Sequence, residues 1–110
     1  MSLSSHVLDG TRGRPAVGVS VRWDRLDDGA WQPVAHAVTD EDGRVTDWGG
    51  ASPDKGTHRV VFGSGDYFGR QQVETFYPEV VVVFEVTDPG RHHHVPLLLS
   101  PFAYSTYRGS

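Results

Sequence analysis

The sequence predicts an all-β fold, an antiparallel β-sandwich with one short helix, on the strength of three observations. The chain has sixteen Val, thirteen Gly and seven Pro, a composition that favours short strands and frequent turns over helices. Residues 17, 19, 21 and 23 are Val, Val, Val and Trp and alternate with Gly, Ser and Arg, a period typical of a strand with one buried face. About eight such segments separated by turns are typical of a sandwich.

The individual elements follow from local patterns. The segments expected to form strands are Leu3 to Leu8, Val17 to Trp23, Trp31 to Val38, His58 to Phe62, Val80 to Val86, His92 to Ser100 and Ala103 to Arg108. The sequence Asp27-Asp28-Gly29 predicts a hairpin turn, and Asp40 to Gly43 predicts a turn that leads into Arg44. The one expected helix covers Asp66 to Glu74, because Asp66 can cap it and Tyr67, Phe68 and Gln71 lie at helical spacings. It is short, and Gly69 weakens it.

Length and charge exclude several classes of protein. A chain of 110 residues is expected to form a single domain over residues 1–110. A net charge of −4 with scattered basic residues argues against a nucleic-acid partner, and no apolar run approaches the roughly 20 residues of a membrane helix. Without Cys there is no disulfide and no thiolate metal site. Since the start lacks the features of a signal peptide, we expect a soluble, cytoplasmic protein.

Two of the expected strands are apolar on both faces. The runs from Val80 to Phe84 and from Val95 to Leu99 break the alternation that a solvent-exposed sheet face requires. The favoured interpretation is that another subunit buries the outer face of one or both strands. Cover by the helix or by a loop of the same chain is the alternative.

Six His in 110 residues is a high number, and three are consecutive. On a strand, His92 and His94 share a face while His93 points the other way. The pair can begin a zinc site whose third ligand would be another His or a carboxylate, or one His can act as a general base at neutral pH. Spacing alone leaves both open, beside the interpretation of ordinary strand residues.

The expected roles of the other polar and aromatic residues follow from their positions in the sequence. Arg44 is either a solvated surface residue or a clamp for an anion or carbonyl group. The aromatic and polar segment from Tyr104 to Ser110 follows an apolar strand directly, so we expect it to be docked rather than frayed. Trp23, Trp31 and Phe62 are expected in the core. The two remaining residues of interest, His36 and His58, are expected to be structural or exposed.

Four separated motifs resemble the 5-hydroxyisourate hydrolase family, the transthyretin-related proteins of urate breakdown. The segment Tyr107-Arg108-Gly109-Ser110, preceded by His94 to Phe102, is similar to the family's C-terminal signature. The start from Ser5 to Asp9, followed by residues 13–16, is similar to its N-terminal signature. The sequences Asp42-Gly43-Arg44 and Gly65-Asp66-Tyr67-Phe68 match its central motifs, so the resemblance covers essentially the whole chain.

The resemblance implies a transthyretin-like sandwich of two four-stranded sheets with one short helix, assembled as a homotetramer that is a dimer of dimers. It implies hydrolysis of a cyclic amide bond in 5-hydroxyisourate, giving 2-oxo-4-hydroxy-4-carboxy-5-ureidoimidazoline, without a metal or an organic cofactor. His6, Arg44 and His94 fall on the family's catalytic residues. The terminal residues Tyr107, Arg108, Gly109 and Ser110 fall on the tetrapeptide that lines the site. Members usually have Tyr where this chain has His93.

Chemistry on this implied site needs an activated water and a stabilised oxyanion. We expect a neutral His6 or His94 to act as base, with the other orienting the water or protonating the leaving nitrogen. Arg44 would bind the substrate oxygens and keep a neighbouring His neutral. The alternative functions are a small-molecule carrier of the transthyretin type, since fold does not decide function, and a His-ligated metal hydrolase.

Overall fold

The computed structural model describes residues 2–110 and extends over 38 × 27 × 23 Å. It contains nine strands and one helix in the described residues. The strands are β1 (Ser2–Asp9), β2 (Arg14–Pro15), β3 (Ser20–Asp27), β4 (Ala30–Val38), β5 (Arg44–Val45), β6 (Gly56–Phe62), β7 (Val80–Val86), β8 (His92–Ser100) and β9 (Ala103–Thr106), and the helix α1 is Ser64–Gly69.

The strands form two sheets, as predicted. One sheet has four antiparallel strands in the order β4-β3-β6-β7. The other has the order β2-β1-β8-β9, and the two-residue strand β5 pairs with β1 as a fifth member. This sheet is mixed rather than purely antiparallel, because β1 and β8 run parallel over eight residue pairs. We call it the β1–β8 sheet.

The core lies between the two sheets and is built around aromatic side chains. Trp23 and Phe62 are fully buried, as expected, and the Trp23 ring meets Trp48 edge-on at 5.5 Å. The Trp23 indole N–H donates to Nδ1 of the buried His58 at 3.0 Å, and Nε2 of His58 donates to the carbonyl of Asp54 at 2.7 Å. The His58 ring is thereby a satisfied structural residue of the core.

Trp31 was expected in the core, but this prediction is wrong. It lies on the edge strand β4, is only partly buried, and stacks under the Arg59 guanidinium at 4.4 Å from the ring centroid. Arg59 is held there by a 2.8 Å bond from its Nε to the carboxylate of Asp24. An edge strand covers an aromatic ring on one side only, so the cation takes the place of a hydrophobic neighbour.

The predicted hairpin turn is confirmed, while the helix is shorter than predicted. Asp28 and Gly29 both have positive φ, and β3 pairs with β4 directly across them. The helix covers Ser64–Gly69 rather than 66–74, and Gly63, not Asp66, occupies the N-cap position without a side-chain bond. It cannot reach residue 74 because Gln72 adopts a positive φ of 59°.

The two apolar strands leave side chains exposed on the outer faces of the sheets. Val83 of β7 is 57% exposed and Leu98 of β8 is 42% exposed. Neither the helix nor a loop covers them within residues 2–110, so the alternative of cover by the same chain is wrong. No helix in this part of the chain is long and apolar enough to cross a membrane.

Candidate active site

The outer face of the β1–β8 sheet collects the polar residues singled out from the sequence. Alternation along β1 places Ser4 and His6 on the face opposite the buried Ser5 and Val7. His6 is partly buried at the middle of the strand. Ser5 and Val7 face the core, whereas Ser4 and His6 face away from it.

Arg44 stands beside His6 because β5 pairs with β1. The register opposes His6 and Arg44 directly. The position of Arg44 is fixed by the preceding turn, in which the Asp40 carboxylate accepts the backbone N–H groups of Asp42 and Arg44, both at 2.9 Å. Arg44 is an exposed residue.

Gly43 is required next to Arg44 for two reasons. Its φ is +74°, a region that residues with a Cβ rarely adopt. A Cβ at this position would also collide with the Val7 carbonyl oxygen, and the Gly43 carbonyl accepts the Val7 N–H at 2.7 Å. The Asp-Gly-Arg motif therefore brings the Arg44 backbone tightly against β1.

His94 completes the group from the neighbouring strand β8. The parallel register places it opposite Ser4, one alternation step from His6 on the same face. On its other side His94 forms a bridge with Gly109, whose N–H donates to the His94 carbonyl at 3.0 Å. A Cβ on Gly109 would overlap the His94 ring, so only glycine allows this close approach.

The surroundings of His94 favour its neutral form. Burial lowers the pKa of His94, and electrostatic interactions of its protonated form with His92, Arg44 and His6 lower it further. An imidazole with a depressed pKa is unprotonated at neutral pH, so one of its two ring nitrogens carries a lone pair. His94 thus has the protonation state that a general base requires.

The Ser4 hydroxyl lies between two imidazole rings. Its Oγ is 2.7 Å from Nδ1 of His94 and 2.8 Å from Nε2 of His92. The two rings are stacked with their centroids 6.4 Å apart and an interplanar angle of 20°. The other ring nitrogen of His92, Nδ1, bonds to the hydroxyl of Ser2.

Only part of the C-terminal tetrapeptide lies at the outer face of the β1–β8 sheet. Gly109 touches His94, whereas Tyr107 and Arg108 line a cavity of about 300 Å³ at the sandwich edge, between β7, β8 and the end of β9. His94 borders this cavity, but His6 and Arg44 do not. Ser110 is exposed. Of the residues named from the sequence, His6, Arg44, His94 and Gly109 are therefore brought together within this single chain.

His93 points into the sandwich, away from the two neighbouring His, as alternation predicted. It is 8% exposed, lines the same edge cavity, and its Nδ1 has no hydrogen-bond partner within residues 2–110. Burial lowers the pKa of His93, and the charge of Arg108 lowers it further.

The described part of the chain contains no set of ligands that would support the metal-site interpretation. No group of three or more His, Asp or Glu side chains between residues 2 and 110 is placed to hold a metal ion. His36 is exposed on β4 and His58 is buried in the opposite sheet, so neither joins His92 and His94. One ring nitrogen of His92 and one of His94 are already hydrogen-bonded to Ser4.

Sequence reasoning missed two residues that shape the site. Ser4 was not singled out, because its partners depend on the parallel register of two strands that are 90 residues apart. Asp40 was assigned only to a turn. A signal was available there, since Asp is favoured at the first turn position, where its carboxylate accepts the N–H two residues on.

Comparison with known proteins identifies the family. The model of the HIUase/Transthyretin family matches residues 3–109. The chain is 43% identical over 109 residues to a 5-hydroxyisourate hydrolase of Salmonella dublin, covering 98% of this chain and 80% of that protein. It is 41% identical over 113 residues to the mouse (Mus musculus) 5-hydroxyisourate hydrolase, with coverage of 98% and 94%.

Solved structures with the same fold include both branches of this family. The Klebsiella pneumoniae 5-hydroxyisourate hydrolase superposes with a TM-score of 0.88 at 34% identity, covering the whole of both chains. Sea bream transthyretin in complex with thyroxine gives a TM-score of 0.92 at 31% identity, covering 99% of this chain and 95% of that one. On the family match and these similarities, the chain belongs to the HIUase/Transthyretin family.

Proposed function

We propose that this protein hydrolyses 5-hydroxyisourate, opening its six-membered ring at a cyclic amide bond to give 2-oxo-4-hydroxy-4-carboxy-5-ureidoimidazoline. The relatives at 41–45% identity over nearly the full chain carry the name of this hydrolase. The observation that carries the proposal is the outer face of the β1–β8 sheet, where His6 opposes Arg44 and His94 lies one strand away with a depressed pKa.

In the proposed reaction a neutral imidazole removes a proton from water. The water oxygen forms a bond to the carbonyl carbon, and the carbonyl π electrons move onto its oxygen. When the tetrahedral intermediate collapses, the carbon–nitrogen bond breaks and the leaving nitrogen takes a proton. His94 suits the role of base because burial and neighbouring positive charge keep it unprotonated. His6 on the same face would then orient the water or supply the proton to nitrogen.

Arg44 is assigned the role of binding and stabilising the oxyanion. Its planar guanidinium presents a fixed fork of donors that binds two oxygens at once, and its charge opposes the developing negative charge. The Asp40 turn holds the Arg44 backbone in place before the substrate arrives. Preorganised donors of this kind lower the barrier because they need no reorientation during the reaction.

The terminal tetrapeptide is proposed to line the substrate site. Gly109 already packs on His94, and Tyr107 offers a half-exposed ring, 59% accessible, that suits stacking on a flat heterocycle. Arg108 and Ser110 are exposed beside it. We assign these residues to substrate binding rather than to the proton transfers.

A homotetramer, as a dimer of dimers, is proposed as the assembly. Leu98 lies on the same outer face as His6 and His94 and is 42% exposed in the single chain. A second copy packed on this face would bury Leu98 and close the site against bulk water. The substrate site would then lie between two copies.

A carrier of the transthyretin type is the competing function. Fold similarity does not decide between them, because the transthyretin superposes with a TM-score of 0.92 and the hydrolase with 0.88. The residues at the site favour the hydrolase. Binding alone requires no neutral imidazole beside an arginine.

The direct test generates 5-hydroxyisourate from urate with urate oxidase and follows its ultraviolet absorbance with and without the protein. We expect faster decay than the spontaneous rate, and the same rate after treatment with a chelator. Decay at the spontaneous rate in the presence of folded protein would contradict the hydrolase and favour a carrier. Loss of activity on chelation, with recovery on adding zinc, would favour a metal hydrolase.

A further inference from the structure

Ser4 and His92 form a hydrogen-bonded chain behind His94. The parallel register pairs Ser4 with His94 and Ser2 with His92, so all four side chains follow one another on the outer face. Ser4 is 8% exposed, and its Oγ contacts His94 Nδ1 at 2.7 Å and His92 Nε2 at 2.8 Å. His92 is exposed at the solvent end of the chain.

A single hydroxyl cannot donate to both rings. Serine has one O–H donor, so one ring accepts from Ser4 while the other donates an N–H to it. Either Ser4 donates to His94 and accepts from His92, or it accepts from His94 and donates to His92. The tautomers of the two His are consequently coupled through Ser4.

The two arrangements give His94 opposite roles. When Ser4 donates to Nδ1 of His94, the ring proton is on Nε2, which can only donate. When Nδ1 of His94 donates to Ser4, Nε2 carries a lone pair and can only accept. The Ser2 hydroxyl at Nδ1 of His92 is compatible with both arrangements, since it can accept or donate.

We infer that Ser4 and His92 are positioning residues that relay a proton to and from His94, switching it between base and acid during the hydrolysis. The inference rests on the proposed function and adds to it the path of the proton. His94 is the group that faces the water, and Ser4 and His92 act through it.

The proton movements balance in each step. As Nε2 of His94 takes a proton from water, its Nδ1 proton passes to the oxygen of Ser4, and the Ser4 proton passes to Nε2 of His92. His92 then carries the positive charge and His94 is neutral with its proton on Nε2. When His94 gives that proton to the leaving nitrogen, the two other transfers reverse and His92 becomes neutral.

The charge distribution gives a reason for this transfer. A positive charge on His94 would stand near Arg44 and His6 in a partly buried position. His92 is exposed in the single chain and is the first residue of β8, six positions from Leu98, so moving the charge there lets water solvate it. The relay thereby avoids holding an imidazolium beside the arginine that must bind the oxyanion.

The test uses Ser4→Ala, His92→Gln and the double variant, with Ser5→Ala as the matched control. Ser5 is the next residue on β1, but its hydroxyl donates to the Val95 carbonyl at 2.7 Å on the inner face. We expect kcat to fall at least about tenfold in each single variant with little change in KM, and no further in the double variant. Ser5→Ala should keep its kcat while losing thermal stability, and Ser4→Thr should restore kcat because it retains the hydroxyl.

Nitrogen-15 NMR of the His rings provides a readout that does not depend on turnover. In the wild type the tautomer populations of His92 and His94 should change together, and in Ser4→Ala each should become independent of the other. Changes in the two rings that stay uncoupled in the wild type would overturn the relay, as would a kcat of Ser4→Ala within twofold of wild type. Losses that multiply in the double variant would also overturn it.

Failure of the relay and failure of the proposed function are separable. If the wild-type protein turns over 5-hydroxyisourate while Ser4→Ala is equally active, the function stands and the relay falls. If the wild type shows no turnover, the relay has no reaction to serve and falls with the function. The NMR coupling still decides in that case whether the hydrogen-bonded chain exists.

Discussion

His6 and Arg44 lie directly opposite each other where β5 pairs with β1. β5 has only two residues, so this placement depends on the turn before it and not on a long ladder of hydrogen bonds. The Asp40 carboxylate and the close approach of Gly43 to Val7 supply the missing constraint. The turn from Asp40 to Gly43 thus positions Arg44, whose guanidinium is proposed to bind the oxyanion.

Replacement of Arg44 by Lys should reduce kcat/KM by about a hundredfold or more. Lysine keeps the charge but loses the planar fork that binds two oxygens, and removing one oxyanion donor typically costs 10²–10³ in rate. The decay of 5-hydroxyisourate measures the loss. Arg14→Lys, at an exposed position on β2, is the control. Equal activity of Arg44→Lys and wild type would contradict the clamp.

The acid limb of the pH–rate profile should lie below pH 6.5, the ordinary pKa of histidine. The base must be unprotonated, and burial and nearby charge lower the pKa of His94. In Arg44→Gln one positive charge is gone, so the pKa of His94 should rise and the limb should move to higher pH. The residual kcat/KM of the variant, measured between pH 5 and 8, checks the direction of the shift. A limb that does not move would show that Arg44 does not set this pKa.

Gly109→Ala should impair turnover more than it impairs folding. The added Cβ would overlap the His94 ring, so the ring must turn or the terminal segment must move away. We expect at least about a tenfold loss of kcat, because His94 leaves its position for general base catalysis. Gly69→Ala is a suitable control, since a Cβ there meets no atom within 4 Å. A thermal melt of each variant separates loss of the site from loss of the fold.

His93 should make the protein less stable in acid. Its pKa is lowered in the folded state, so below pH 6.5 the unfolded chain binds a proton that the folded chain binds less readily. Stability from this group is present above pH 6.5 and is lost as pH falls toward the depressed folded pKa. Each unit of depression corresponds to about 1.4 kcal/mol.

His93→Tyr should flatten this dependence. Urea unfolding at pH 7.5 and pH 5.5 gives the difference in unfolding free energy for each variant. The drop on acidification should be smaller in His93→Tyr than in wild type, leaving the part that His94 contributes. His36→Tyr, at an exposed position, should behave as wild type. The same drop in both proteins would mean that His93 is not responsible.

Leu98→Arg should dissociate the proposed tetramer and lower activity at the same time. The side chain is exposed in the single chain and shares a face with the site, so a charge there would be buried between copies at high cost. Native mass spectrometry and light scattering give the mass of the assembly. Val38→Arg, at an exposed position on β4, is the control. A Leu98→Arg protein of unchanged mass would place any interface elsewhere.

Local patterns predicted most of the fold because most of it is locally encoded. The alternation from Val19 to Trp23 and the Asp28-Gly29 turn fix one hairpin within twenty residues. The end of α1 was missed, since it depends on the positive φ of Gln72, a conformation that Gln does not signal. Trp31 was misplaced because composition does not reveal which strand lies at an edge.

The residues of the candidate site could be predicted from the motif resemblance, whereas residue spacing alone predicted them only weakly. Alternation correctly separated His93 from His92 and His94, but it did not decide between zinc ligation, general base catalysis and ordinary strand residues. The choice of partner for each ring depends on the offset between β1 and β8, which places Ser4 between two imidazoles. No local pattern encodes the offset of two strands so distant in sequence.

That same pairing has a consequence for how the protein folds. β1 is an interior strand, yet β8, with which it forms eight parallel residue pairs, is synthesised some 90 residues later. A nascent chain must keep β1 unpaired on that side until β8 emerges, and closing so long a loop makes the step slow. His6 and His94 therefore cannot meet until β8 has been synthesised. Mutations that weaken β1–β8 contacts should lengthen the time in which an open strand edge is exposed to aggregation.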